Sequence, residues 1–278
     1  MDAPELAETD LKTAAAATYA ATADHFDAPA LSFWDRYGRR TIAQIDLRLG
    51  ARVFDACCGT GASALPAAVE VGPEGHVLGI DISEPALSLA RAKAQNQGLS
   101  NVEFRAADIE RTELPSQSFD AVVCVFGIFF LADIAAGIAE LWRLVRPGGK
   151  LAITIWGPRL FEPAASEFWS AVQGERPDLV GGFHPWTRVT DPAVLVELFA
   201  RAGAAAPSVV AEPGGQPLTS PGDWWTIVLG TGYRATLERL GAEAAERVRA
   251  VNLARIEARG IQEIETNVVY GVARKPDQ

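Results

Sequence analysis

Three aspartates and a glycine pair are the residues whose types and spacing lend themselves to binding chemistry. The stretch Arg52-Val-Phe-Asp-Ala-Cys-Cys-Gly-Thr-Gly61 is an apolar run that breaks into a glycine turn and passes into helix-forming residues. Gly59 and Gly61 let the backbone approach a ligand, and the helix that follows directs free N–H groups and the positive end of its dipole to the same point. Asp55 stands near the end of this run, Asp81 ends the next apolar run, and Asp108 follows a third. Ionised carboxylates accept hydrogen bonds from hydroxyls and amines and favour nearby positive charge. The three together suit an adenosine carrying an amino acid. Asp81 lies about twenty residues beyond Gly61, the separation at which an acid reaches a ribose hydroxyl pair. Gly59-x-Gly61-x-x-Ala64 also fits a relaxed dinucleotide fingerprint, so an NAD(P)-dependent oxidoreductase is a serious second reading. Asp55 inside the first strand end and Asp108, placed to meet an adenine amino group, weigh against it.

The elements that must hold these residues alternate. Strands are expected at Arg52–Ala56, His76–Asp81, Val102–Ala107, Ala121–Phe126 and Lys150–Trp156. Helices fall between them: Ala62 to Glu70, Glu84 to Gln97 behind a Ser83 cap, and a segment after Asp133 with Ile134, Ile138, Leu141 and Val145 at helical spacing. Arg146-Pro-Gly-Gly149 reads as the stop of that last helix. Continuously apolar strands alternating with helices indicate a parallel sheet covered on both faces, a doubly wound α/β architecture. Ligands in such sheets bind outside the carboxyl ends of the strands where strand order reverses, which gathers Asp55, Asp81, Asp108, Phe126 and Trp156 along one rim.

Around this core at 49–157 the chain divides further. Residues 1–48 read as an N-terminal helical lid, with helices over Leu11 to Ala23 and within Leu31 to Leu49. An aromatic cap is inserted at 158–189. The core continues at 190–212 with a helix behind Asp191-Pro192 and a strand at Ser208–Glu212. A second, largely helical insertion covers 213–260, and residues 261–278 close the sheet with an edge strand over Ile264–Ala273. Phe130, Trp156, Trp169, Trp186 and Trp225 are the aromatics best placed to wall an apolar substrate pocket, although each serves equally as packing. His184 in the cap and His25 in the lid are the candidate general bases.

The chain has 278 residues, 49% of them hydrophobic and 22% charged, with a net charge of −10. An acidic chain without a basic block does not suit a nucleic-acid partner. No apolar run approaches the ~20 residues that span a bilayer, and Met1-Asp-Ala-Pro-Glu is unlike a secretory signal, so a cytoplasmic location is expected. The three cysteines, Cys57, Cys58 and Cys124, lie in strand-like runs without metal-ligand spacing, and no metal site is expected.

Five motifs in order, Val53-Phe-Asp-Ala-Cys-Cys-Gly-Thr-Gly61, Gly79-Ile-Asp-Ile-Ser83, Arg105-Ala-Ala-Asp-Ile109, Leu114-Pro-Ser-Gln-Ser-Phe-Asp120 and Leu144-Val-Arg-Pro-Gly-Gly-Lys150, resemble the class I S-adenosylmethionine-dependent methyltransferases. The likeness is to the branch of quinone-biosynthesis and other small-molecule enzymes. It implies a Rossmann-like seven-stranded sheet, mostly parallel with the last strand antiparallel, and S-adenosyl-L-methionine as cofactor. Asp55 and the glycine turn would then flank the methionine moiety, Asp81 would hold the ribose, and Ile82 would pack on the adenine. Asp108 and Ile109 would bind the adenine's amino edge, the backbone near Phe126 would meet the methionine amine, and Tyr19 would close over it from the lid. Cys57 departs from the family, which usually has glycine there, so its side chain must point away from the cofactor or the turn must differ locally. The implied activity is methyl transfer to an O, C or N atom of a small, largely apolar acceptor. A cofactor-binding cyclase or scaffold that does not methylate stays open.

Overall fold

The computed structural model describes residues 16–18, 21–182 and 184–277. Its strands in chain order are β1 (Arg52–Ala56), β2 (His76–Asp81), β3 (Val102–Ala106), β4 (Phe119–Val125), β5 (Val145–Trp156), β6 (Ser208–Glu212), β7 (Gly215–Pro217), β8 (Glu263–Glu265) and β9 (Val268–Arg274). Seven of them form one sheet in the order β3-β2-β1-β4-β5-β9-β6, and β7 pairs with β8 apart from it. β9 runs antiparallel to both of its neighbours, and every other pairing in the large sheet is parallel. The order reverses between β1 and β4, so the cleft of the fold opens at their carboxyl ends.

Successive side chains of β1 explain why its run is apolar throughout. Val53 packs with Ala64, Leu65, Leu87 and Ala90 on one face, and Phe54 with Ile138 and Leu141 on the other. The helices begin where capping chemistry places them. Ser83 Oγ accepts from Ala86 N ahead of Glu84–Asn96, Asp133 Oδ1 from Ala136 N ahead of Ile134–Leu144, and Asp191 Oδ1 from Ala193 N ahead of Pro192–Arg201.

Two expectations need correction. The Arg146-Pro-Gly-Gly149 segment does more than stop a helix: it already belongs to β5, which starts at Val145 and pairs with β4 across a register irregularity between Phe119 and Ala121. The terminal strand is not an edge. β9 lies between β5 and β6, its residues are buried nearly throughout, and Gly271 leaves room for the Phe199 ring; the edge belongs to β6. Ile264, assigned to that strand from alternation, lies in β8. The lid helix runs Phe33–Ala43, within the expected Leu31 to Leu49, and the helix expected over Leu11 to Ala23 lies largely outside the described residues.

The two insertions pack on each other. The Ala164–Glu175 helix of the first lies on the Ala242–Ala258 helix of the second, where Arg259 pairs with Glu167 at 2.6 Å and Arg247 with Glu175 at 3.0 Å. Trp224 is fully buried within the second and donates its Nε1–H to Asn252 Oδ1 at 2.7 Å.

The lid helix Phe33–Ala43 is fixed to the core at two points. Tyr37 donates its hydroxyl to Thr266 O at 2.6 Å. At Gly38 the helix approaches the segment after the glycine turn so closely that a Cβ would fall 2.2 Å from Ala62 O and 3.0 Å from Ser63 N. Helix propensity alone makes Gly→Ala favourable by about 1 kcal/mol. Crowding against backbone reverses that sign, so Gly38→Ala should lower stability by roughly 1–3 kcal/mol in urea denaturation. A stabilised variant would show that the helix can move off the turn.

Candidate active site

At the carboxyl ends of β1 to β4 lies a cavity of about 130 Å³. Asp81 organises its floor. Its Oδ2 accepts from Gly59 N at 2.9 Å and its Oδ1 from Ser83 N at 2.8 Å, so one carboxylate ties the end of β2 to the glycine turn after β1. Burial raises the Asp81 carboxyl above the ordinary range, and the N–H groups of Ser83, Gly59 and Ile82 draw it back. Each oxygen keeps a further lone pair for a ligand hydroxyl. Asp108 borders the same cavity and accepts from Glu110 N at 2.9 Å, capping the short Ile109–Arg111 turn. Ile82, more exposed than its neighbours, and buried Ile109 give that end of the cavity apolar flanks.

The glycines divide the work. Gly59 has φ +52° and faces the cavity, with open space where a Cβ would stand. Gly61 has φ +88° but does not line the cavity; a Cβ there would meet Leu65 Cγ at 3.0 Å and Ala90 Cβ at 3.5 Å, so its smallness serves helix packing. Cys57 has φ +59°, a left-handed conformation that favours glycine. Its thiol is accommodated on the far wall, because Gly127 opposite has no side chain: a Cβ on Gly127 would lie 2.8 Å from Cys57 Sγ and 3.1 Å from Cys124 Sγ. The neighbouring Cys124, followed by burial, pushes the Cys57 thiol well up, which makes it a poor nucleophile. Cys57 still borders the cavity at its edge.

Phe126 is the first residue beyond β4 rather than its last, with φ +56°, and its ring stacks on Trp156 at 3.9 Å and 12°. The loop after it, carrying Phe130 and Leu131 into the cavity wall, is clamped by Arg188, which donates to the carbonyls of Phe129, Leu131 and Ala132. Phe26 and Trp34 close the cavity from the lid side. Lys93 ties lid to turn, pairing with Asp27 and donating to Thr60 Oγ1 at 3.2 Å.

Of the other residues singled out by sequence, Trp156 and Trp186 line a second, narrow aromatic slot, together with Trp34, Phe129, Phe161 and Tyr233. Trp169 and Trp225 line neither cavity. Trp169 packs on Phe168, His184 and Tyr233, and Trp225 on Phe168. His184 stacks on Trp186 at 4.9 Å, and burial, then the Arg239 charge, lowers its pKa, so it stays neutral. His25 lies beside Gly230. Neither histidine borders the two cavities; the His184 ring packs between Trp169 and Trp186. Tyr19 lies outside the described residues. Sequence reading passed over Phe26, Trp34 and Ser63 as site residues; their only signal was proximity to the lid and turn.

Asp55 is fully buried behind the cavity, where its Oδ2 accepts from Ser63 Oγ at 2.7 Å. Burial raises its carboxyl from 3.8 to about 7, with Ser63 opposing and the nearby Asp81 adding to the rise. The native state thus holds a proton that the unfolded chain releases near pH 4. The stability this contributes is full below about pH 4 and is lost as pH rises through about 7. Asp55→Asn cannot release that proton, so its stability relative to the parent should climb between pH 5 and pH 8 in urea denaturation. A pH-independent difference would place the Asp55 carboxyl near its ordinary value.

Residues 53–149 match the family described as "Methyltransferase domain". The chain is 34% identical over 168 residues to the nocamycin O-methyltransferase of Saccharothrix syringae, covering 58% of this chain and 59% of that protein. It is 36% identical over 117 residues to the demethylmenaquinone methyltransferase of Listeria welshimeri, covering 42% of this chain and 50% of that one. The matches thus span half to three-fifths of the length of these curated relatives. The YcgJ protein of Bacillus subtilis shares the fold, with a TM-score of 0.59 and 17% identity over 87% of this chain and all of that one. The stretch that matches the methyltransferase domain, residues 53–149, is the one that carries the glycine turn and the three strand-end acids.

Proposed function

We propose that this chain transfers the methyl group of S-adenosyl-L-methionine to an O, C or N atom of a small, largely apolar acceptor. The sign of charge around the cavity carries the reading. Asp81 and Asp108 border it, and no lysine or arginine is among the described residues lining it. A dinucleotide places a doubly charged pyrophosphate at the glycine turn, where it needs free N–H donors. Here the Gly59 N–H is taken by the Asp81 carboxylate, which would repel that anion. A cationic sulfonium nucleoside meets the opposite situation.

The residues present fit such a ligand. Asp81 has lone pairs for the ribose hydroxyls, the open side of Gly59 admits close approach, Ile82 and Ile109 flank the adenine, and Asp108 receives its amino edge. The backbone at Phe126, turned by its left-handed φ, offers its carbonyl to the methionine amine. The bound cofactor supplies an electrophilic methyl, and the protein's part is to align the acceptor with it and exclude water. The aromatic wall of Trp34, Phe126 and Trp156 suits that part. With His25 and His184 turned to packing, the acceptor atom is one that is already nucleophilic or ionises easily. The free thiols at Cys57, Cys58 and Cys124 suit a reducing, cytoplasmic setting, and the acidic chain suits a small-molecule acceptor rather than nucleic acid.

Calorimetric titration should give saturable binding of S-adenosylhomocysteine and none of NAD; the reverse result would overturn the reading. Asp81→Ala, checked for folding by its thermal melt, should weaken S-adenosylhomocysteine binding roughly tenfold or more, the loss expected for hydrogen bonds to a charged group. Methyl-labelled cofactor should pass label to a member of a panel of aromatic and enolic acceptors. Cofactor binding without label transfer to any of them would point instead to a non-methylating role.

A further inference from the structure

We infer that Asp55 lets the site tell S-adenosyl-L-methionine from its demethylated product: it carries a proton in the free protein, gives that proton up when a sulfonium cation enters the cleft, and regains one once the methyl has gone. This inference rests on the methyltransferase reading and names the residue that senses the cofactor's charge. Two carboxyls lie close together here, Asp55 fully sealed one position before the end of β1 and Asp81 at the end of β2. Asp81 has strong reasons to keep its charge, because the N–H groups of Ser83, Gly59 and Ile82 all favour it. Asp55 has fewer. Its Oδ2 accepts from Ser63 Oγ at 2.7 Å, the Ala64 N–H helps more weakly, and its Oδ1 has no hydrogen-bond partner among the described residues. A buried acid so placed stays neutral unless a cation stands beside it.

The surrounding elements supply no such cation among the described residues. Asp55 pairs in the sheet with Gly79 of β2 and Val123 of β4. The turn adds the thiols of Cys57 and Cys58, both pushed well up and so neutral, and β4 adds that of Cys124. The lid helix buries Tyr37, Gly38, Thr41 and Ile42, with the Tyr37 hydroxyl donating to Thr266 O. The Ala64–Val71 helix buries only alanines, Leu65 and Val71. On the Glu84–Asn96 helix, Arg91 is bound to Glu84 and Phe104 O, and Lys93 to Asp27 and Thr60. Asp55 is nevertheless in touch with the cleft, because Ser63, which binds it, lines the cavity. A positive charge arriving there is one side chain away from a carboxyl that is neutral for want of it. Burial first, with Ser63 opposing and Asp81 adding, puts the Asp55 carboxyl at about 7, so a nearby cation moves its titration across neutral pH. When the methyl passes to the acceptor, the electron pair of the broken carbon–sulfur bond stays on sulfur and the positive charge is gone. Asp55 then regains a proton from solvent, to which the acceptor has given up its own. A group whose pKa falls on binding makes affinity rise with pH, up to the free-state value of about 7. The neutral product gains nothing from that rise.

Calorimetry of the whole chain without acceptor tests it, with S-adenosyl-L-methionine and S-adenosylhomocysteine each titrated at about pH 6.5 in two buffers of different ionisation enthalpy. The expected result is release of roughly half a proton or more on binding the first ligand and none on binding the second. From about pH 5.5 to about pH 7.5, below the range in which the ligands' α-amino groups titrate, the ratio of the two affinities should climb roughly five- to tenfold in favour of S-adenosyl-L-methionine. Asp55→Asn, checked for folding by its thermal melt, should hold that ratio constant and release no proton with either ligand. Equal proton release with both ligands, or none with S-adenosyl-L-methionine, would overturn the inference on the parent chain alone. A climb that survives in Asp55→Asn would also overturn it, by assigning the proton to Asp81. If neither ligand binds the parent chain, it is the methyltransferase reading that fails.

Discussion

The pair of hydrogen bonds that the Asp81 carboxylate accepts from Gly59 N and Ser83 N is the constraint on which the site depends. β1 and β2 are neighbours in the sheet, but their ends diverge into different segments, a glycine turn and a helix start. One carboxylate holds both. It satisfies an N–H that a bare glycine turn would offer to an anion, and by doing so it converts the most common use of such a turn, phosphate binding, into its electrostatic opposite. The cost of burying charge is visible in the raised carboxyls of Asp81, in the cavity floor, and of Asp55, behind it.

The rest of the cleft is assembled by elements that come from far along the chain. The lid helix is docked through Gly38 on the segment after the turn and through Tyr37 on the residue that precedes β9 by two positions. Arg188, from the first insertion, fixes the loop after β4 through three carbonyls, and burial lowers its pKa. Lid, insertion and terminal strand therefore converge on Phe126 and Trp156, whose stacked rings form the boundary between the cleft and the aromatic slot.

Cys57 and Gly127 show how a departure from the family pattern is absorbed. A left-handed backbone at a residue with a side chain costs on the order of 1 kcal/mol. The thiol also needs room, and Gly127 provides it across the cleft floor.

What the sequence determined by itself was local. Apolar runs bounded by turn residues placed β1 and β2, and capping residues the helix starts at Ser83, Asp133 and Asp191, because a strand buried on both faces and a capped helix leave signatures within a few residues. Asp81, Asp108 and Gly59 could be put at the cleft for the same reason, since a strand end is a local feature and the reversal of strand order does the rest. Tertiary structure decided what depends on contacts between distant segments. Alternation in Ile264–Ala273 could not show that β9 would be covered on both edges by β5 and β6. The types of His25, His184, Trp169 and Trp225 could not show that packing would turn them from the cavities, nor could the glycine pair show that Gly61 would serve Leu65 and Ala90. Trp34 reads in the sequence as one more apolar contact of the lid; only the folded chain sets it between two cavities, because that depends on aromatic neighbours from four segments of the chain.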